Sequence, residues 1–160
     1  MIKIRIHFLL LSFFLCYTAT AQHRRSYLPD PKLTPGHTFD VEGADLCRRG
    51  YRSSAGDTEI ALKSQVFDRY RIDRYEIGYN ADHLIPVKLG GSNSMKNLWP
   101  QPLSGEWNWH RKNKLERRLR KLVCGAQLDL KTAQQEIAID WISAYKKYVE
   151  PRQTPPSQPR

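Results

Sequence analysis

Cysteine is scarce in this 160-residue sequence, with three residues at positions 16, 47 and 124 and no C-x-x-C pair. That spacing gives no support to a structural zinc site built on cysteines. No apolar run reaches the roughly 20 residues that a bilayer-spanning helix needs. No internal repeat is visible. Acidic residues are the minority, 16 against 26 Lys and Arg, for a formal charge of +10. Such a surplus calls for an anionic partner: nucleic acid, an anionic membrane surface or an acidic polysaccharide. Charge alone does not choose among them.

What is present begins with a leader. Residues 1–21 carry Lys3 and Arg5, an apolar stretch from Phe8 to Leu15, and Ala19-Thr20-Ala21. A basic head, a short apolar centre and an A-x-A site read as a secretory signal peptide. Bulky Leu15 before Cys16 argues against a lipoprotein site, and the short run argues against an uncleaved anchor. Cleavage after Ala21 leaves a basic chain long enough for one compact domain and not two. The expected location is secreted or periplasmic, with no stable membrane association after cleavage. Loss of Cys16 leaves Cys47 and Cys124, an even pair in an oxidising compartment, which predicts a disulfide between them. Two free buried thiols are the alternative.

Residues 22–44, with Pro29, Pro31, Pro35, Gly36 and Gly43, read as an extended, irregular arm. A single domain is expected over 45–150, and the proline-rich tail 151–160 is expected to be disordered. Val66, Tyr70 and Ile72 mark a short element that is helix or strand. Ser104 can cap a helix over Glu106–Val123, in which Leu115, Leu119 and Leu122 form a buried stripe and Gly125 follows as a stop. A second helix is predicted over Ala133–Val149. Thr132 and Gln135 supply a capping box, and Ile137, Trp141, Tyr145 and Tyr148 lie on its core face.

The densest pattern lies between these elements. Asn80-Ala81-Asp82-His83-Leu84-Ile85-Pro86-Val87-Lys88-Leu89-Gly90-Gly91-Ser92-Asn93 precedes Asn97-Leu98-Trp99-Pro100-Gln101. Apolar residues on either side of Gly90-Gly91 predict two short antiparallel strands joined by an ordered loop. Phosphodiester hydrolysis needs a base that works near neutral pH, which histidine supplies. It also needs stabilisation of developing negative charge, which a lightly ligated hard cation on oxygen donors supplies. Asp82 beside His83 offers both at one strand end. Adjacent strand residues face opposite ways, so a bulge or strand end must bring the two to one phosphate.

D-H-L-I-P-x-x-L-G-G-S-N followed by K-N-L-W-P-Q resembles the HNH endonuclease superfamily in its ββα-metal form. Thr34-Pro35-Gly36, Cys47 with Gly50-Tyr51, Lys112-Asn113-Lys114-Leu115-Glu116, and Val123-Cys124-Gly125 through Asp140-Trp141 extend the similarity to secreted bacterial members. The resemblance implies an α+β fold: a ββα-metal (HNH) core with an additional C-terminal helix and an irregular N-terminal arm. It implies His83 as general base and Asp82 as metal ligand. Asn97 would hold the loop and ring orientation of His83 by hydrogen bonds. The last ligand belongs on the helix after the second strand, where Asn108, His110 and Asn113 are all available. Asn113 stands where relatives carry Asp in K-D-x-L-E, and His110 would restore a literal H-N-H. His110 and Asn113 share a helix face one turn apart, so both stay open. The implied cofactor is one divalent ion, Mg²⁺ first, with Mn²⁺ or another divalent ion as alternatives. The implied products carry 5′-phosphate and 3′-hydroxyl ends.

Arg111, Lys112, Lys114, Arg117, Arg118, Arg120 and Lys121 crowd the same helix, against Glu116 alone. In the family this helix meets the duplex, so these cations are expected to hold DNA phosphates without reading sequence. Trp99 and Trp107 are expected to pack rather than stack on bases. The expected activity is a secreted, metal-dependent DNA endonuclease of low sequence specificity, with RNA open as a second substrate. A noncatalytic basic module that binds extracellular DNA or acidic polysaccharide is the competing class.

Overall fold

The computed structural model describes residues 27–49, 51, 60–73 and 78–150. The expected signal segment 1–21, the start of the arm, Gly50 and the tail from 151 lie outside them. In chain order the elements are α1 (Gly43–Cys47), α2 (Ile60–Tyr70), β1 (Tyr79–His83), a 3₁₀ turn (Val87–Leu89), β2 (Leu98–Pro102), α3 (Trp109–Cys124) and α4 (Leu130–Tyr148). The fold is mixed α+β, with a two-stranded antiparallel sheet and four α-helices among the described residues. No helix among them is long and apolar enough to cross a membrane.

The strands pair with Tyr79 opposite Pro102 and His83 opposite Leu98. They lie further from the Gly90-Gly91 pair than the apolar pattern predicts. The run after His83 is not strand, because Pro86 has no N–H for a ladder. Val87–Leu89 instead form a 3₁₀ turn closed by Gly90 at φ 82°, a conformation that favours glycine. Gly91 is fixed by close approach, since a Cβ there would sit 1.8 Å from the Ile85 carbonyl oxygen. Leu84, Ile85 and Leu89 turn into the core rather than along a sheet.

Val66, Tyr70 and their neighbours form helix α2. Val66 and Phe67 pack on Ala81 and Leu98 and cover one face of the sheet. The other face meets the main core, where Trp99, Leu115, Leu119, Ile137 and Trp141 are fully buried. Trp107 packs edge-on against Trp141 and Tyr145, so Trp99 and Trp107 are both packing residues. Between residues 27 and 42 the arm has no helix or strand beyond a single bridge of Thr38 to Gly91. It is nonetheless fastened down: the Tyr70 hydroxyl donates to Thr34 Oγ1, which donates to the Leu98 carbonyl. The last two residues assigned to the arm, Gly43 and Ala44, already belong to α1.

Helix boundaries shift for local reasons. Helix α3 starts at Trp109, not Glu106, because Gly105 turns at φ 87° and Trp107 is drawn into the core. Asn108, not Ser104, is the cap, accepting from the N–H groups of His110 and Arg111. Helix α4 starts at Leu130 because Asp129 outcompetes Thr132: the Asp129 carboxylate accepts from the Thr132 N–H at 2.9 Å and from its hydroxyl at 3.2 Å. Within α4, Asp140 is non-helical and caps a second segment through the N–H groups of Ile142 and Ser143. The resulting kink lets the first half touch the loop, with Gln134 donating to the Leu89 carbonyl, while the second half lies against Trp107.

Cys47 and Cys124 are bonded, with Cα atoms 5.4 Å apart across 77 residues of chain. The bridge ties the end of α1 to the end of α3. Replacing both cysteines with alanine is expected to lower unfolding free energy by about 2–5 kcal/mol, measured by denaturant titration. The hydrogen bonds from Thr132 hold the Asp129 carboxyl below the ordinary aspartate range. A lowered folded-state pKa contributes stability above the unfolded value and loses it as pH falls through the folded one. Asp129→Ala is therefore expected to lower the melting temperature at neutral pH. Melts repeated at lower pH should show that deficit shrinking as pH falls below about 3.9.

Candidate functional site

The cavity of interest lies where the end of β1, the loop after it and the first turns of α3 meet. Its volume is about 300 Å³, and its walls are Asp82, His83, Pro86, Val87, Lys88, Asn113, Glu116 and Arg117. His83 is the last residue of β1, so the chain leaves the strand as soon as the ring is placed. That strand end lets the neighbouring Asp82 and His83 face one cavity.

The His83 side chain is mostly buried, and its Nε2 lies 2.7 Å from Asn93 Oδ1. A carboxamide oxygen only accepts, so Nε2 is the donor in this contact, and in the neutral ring that leaves the lone pair on Nδ1. Nδ1 is 4.0 Å from Asp82 Oδ1. The ring is thus oriented by Asn93. Asn97, fully buried, holds the loop instead: its Oδ1 accepts from the Ile85 N–H, and its Nδ2 donates to the carbonyls of Ile85 and Ser92. The Leu84 N–H donates to its backbone carbonyl. The loop is therefore closed at both ends on one side chain.

Lys112 departs most from its expected place as a DNA-binding cation. It is fully buried, and its Nζ donates to the His83 carbonyl and to Glu116 Oε1, both at 2.6 Å. Asp82 Oδ2 lies 3.9 Å away. An ammonium out of water needs such oxygen partners, and it cannot reach a phosphate. Burial pushes the Glu116 carboxyl above the ordinary carboxylate range, and Asp82 adds to the rise while Lys112 opposes it. Composition hid Lys112 among surface cations, but periodicity did not. Positions 112, 115, 119 and 122 fall on one helical stripe, and all are buried. Glu116 follows Lys112 by one turn, the spacing of an i, i+4 pair. Asn93 had no spacing signal that singled it out.

Asn113 and His110 part company. Asn113 lines the cavity with Asp82 and His83, whereas His110 is exposed and stacks on Trp109 with ring centroids 3.7 Å apart. Asn108 is occupied as the helix cap. Among the remaining cations, Arg111 lies over Trp107 and pairs loosely with Glu150. Arg118 donates to the Tyr148 carbonyl, and Arg120 is tied to the carbonyls of Lys88 and Leu46. Lys114, Arg117 and Lys121 are exposed.

The donors facing the cavity are a carboxylate from Asp82 and a carboxamide from Asn113, with the Glu116 carboxyl on the wall. Among the described residues no group of three or more His, Cys, Asp or Glu side chains stands together as a metal cluster. Two oxygen ligands with open positions fit a hard cation shared with phosphate and water; they do not fit a closed structural site. Comparison with protein-family models, curated proteins and solved structures finds no match to this chain. The chemistry therefore rests on this geometry.

Lys112→Met leaves Glu116 buried without its counter-charge, and removing one partner of a buried pair costs about 3–5 kcal/mol. Denaturant unfolding should show a loss in that range. The double variant Lys112→Met with Glu116→Leu should recover part of it.

Proposed function

We propose that this chain is an exported, divalent-metal-dependent DNA endonuclease of the ββα-metal (HNH) type, cutting with low sequence specificity. The observation that carries this reading is that Asp82, His83 and Asn113 line one cavity, reached in the order strand, loop, strand, helix. His83 is the general base. Its Nε2 is engaged by Asn93, so Nδ1 takes the proton from water. Asn97 keeps the loop, and with it the ring, at a fixed place. Asp82 and Asn113 would hold one divalent ion, Mg²⁺ first, which when bound stabilises charge on the phosphate and the leaving oxygen. His110 stays outside this assignment, and the duplex partner is held through backbone phosphates rather than base edges.

The test is nicking of supercoiled plasmid with Mg²⁺ or Mn²⁺, with and without EDTA. Cleavage should vanish with EDTA, and His83→Ala should lower the rate at least 10²-fold, the lower range for losing a general base. Asn113→Ala should raise the metal concentration needed for half-maximal rate, and His110→Ala should not. Cleavage that survives both EDTA and loss of His83 overturns the mechanism. Tight binding to DNA with no cleavage in any metal makes the chain a noncatalytic binding module.

A further inference from the structure

We infer that a second concavity, continuous with the candidate site, is a backbone groove that holds the DNA phosphates flanking the scissile one on a single side. This inference rests on the nuclease reading. The groove has a volume of about 580 Å³ and is lined by Tyr51, Val87, Lys88, Arg117, Arg120, Lys121 and Cys124. Val87, Lys88 and Arg117 also line the site cavity, so the two concavities share a wall.

Charge divides sharply between them. Asp82 and Glu116 lie in the site cavity, whereas among the described residues no carboxylate lines the groove. Lys88, Arg117 and Lys121 are exposed and make no ion pair among the described residues. Arg120 is held by the carbonyls of Lys88 and Leu46, so its charge is fixed in the groove floor. The disulfide end of α3 closes the far end at Cys124.

The helix sets the spacing. Asn113, Arg117 and Lys121 follow one another at i, i+4 and i+8, one stripe on one face of α3. Arg117 and Lys121 therefore lie about 6 Å and 12 Å along the helix from Asn113. A strand entering the site at Asn113 and running toward the disulfide meets one cation per turn, with Lys88 from the opposite wall. That arrangement suits an extended chain of phosphates. It also supplies binding on one side of the cut and makes flanking nucleotides part of the substrate. Tyr51 and Val87 add an apolar surface for sugar or base, which a purely electrostatic polysaccharide track does not need.

The test is fluorescence anisotropy of a labelled 20-base-pair DNA with the purified chain in EDTA, as a function of salt. Each neutralised phosphate contact contributes about 0.9 to the salt slope on duplex DNA. The triple variant Lys88→Gln, Arg117→Gln, Lys121→Gln should lower the slope by about two to three and weaken binding. The charge-matched control Lys32→Gln, Lys131→Gln, Lys146→Gln should leave the slope within about one of the parent. Equal loss in both triples means diffuse attraction and overturns the groove. A heparin fragment that loses affinity with the groove triple while DNA does not would also overturn it. Groove-dependent DNA binding without cleavage in any metal keeps the groove and removes the nuclease reading. Cleavage by the parent with no groove dependence in binding does the reverse.

Discussion

One buried ammonium joins the halves of this molecule. Lys112 Nζ sits between the His83 carbonyl at the end of β1 and the Glu116 carboxyl one turn along α3. Taking an ammonium out of water costs several kcal/mol, so the site is stable only when every oxygen around it is in place. That requirement fixes two things together: where the strand stops and how α3 is rotated. Once Lys112 points at the strand end, the next residue, Asn113, is carried to the cavity wall, and His110 is left on the exposed side. The leucines at 115, 119 and 122 give α3 its adhesion to the core. Lys112 gives it a register.

The loop between the strands is organised by different means. Its apolar side chains enter the core, and its backbone is closed on the carboxamide of Asn97. Gly91 allows the Ile85 carbonyl to come close. A fully satisfied buried amide is a rigid device, because each bond lost leaves a polar group without water. The histidine therefore stands on a frame set by hydrogen bonds on one side and by a charge on the other.

Much of this was legible in the sequence. The antiparallel pair, the two long helices, the packing tryptophans and the cysteine pair follow from periodicity, cysteine parity and turn residues. The boundaries were less legible, since they depend on competition between caps. Asn108 displaces Ser104 because Trp107 is pulled inward, and Asp129 displaces Thr132 because its carboxylate takes both of that residue's donors. Taking the apolar residues just before Gly90-Gly91 as strand failed because an apolar run records burial, not conformation. In the site, Asp82, His83 and Asn97 stood out by pattern. Lys112 did not, because a cation among six others looks like surface until its place on the leucine stripe is weighed. Asn93 becomes visible only when the loop is folded back over the ring.

The disulfide has a topological consequence beyond its contribution to stability. Cys47 and Cys124 enclose Asp82, His83, Asn97, Lys112 and Asn113 in one covalent ring. A single backbone cut inside that ring opens it without dividing it. The piece carrying the histidine stays linked to the piece carrying its helix partner through the two sulfurs, and the halves cannot diffuse apart. Among proteases a nicked molecule is still one molecule, and its two parts remain at the high mutual concentration that re-forming the cavity requires.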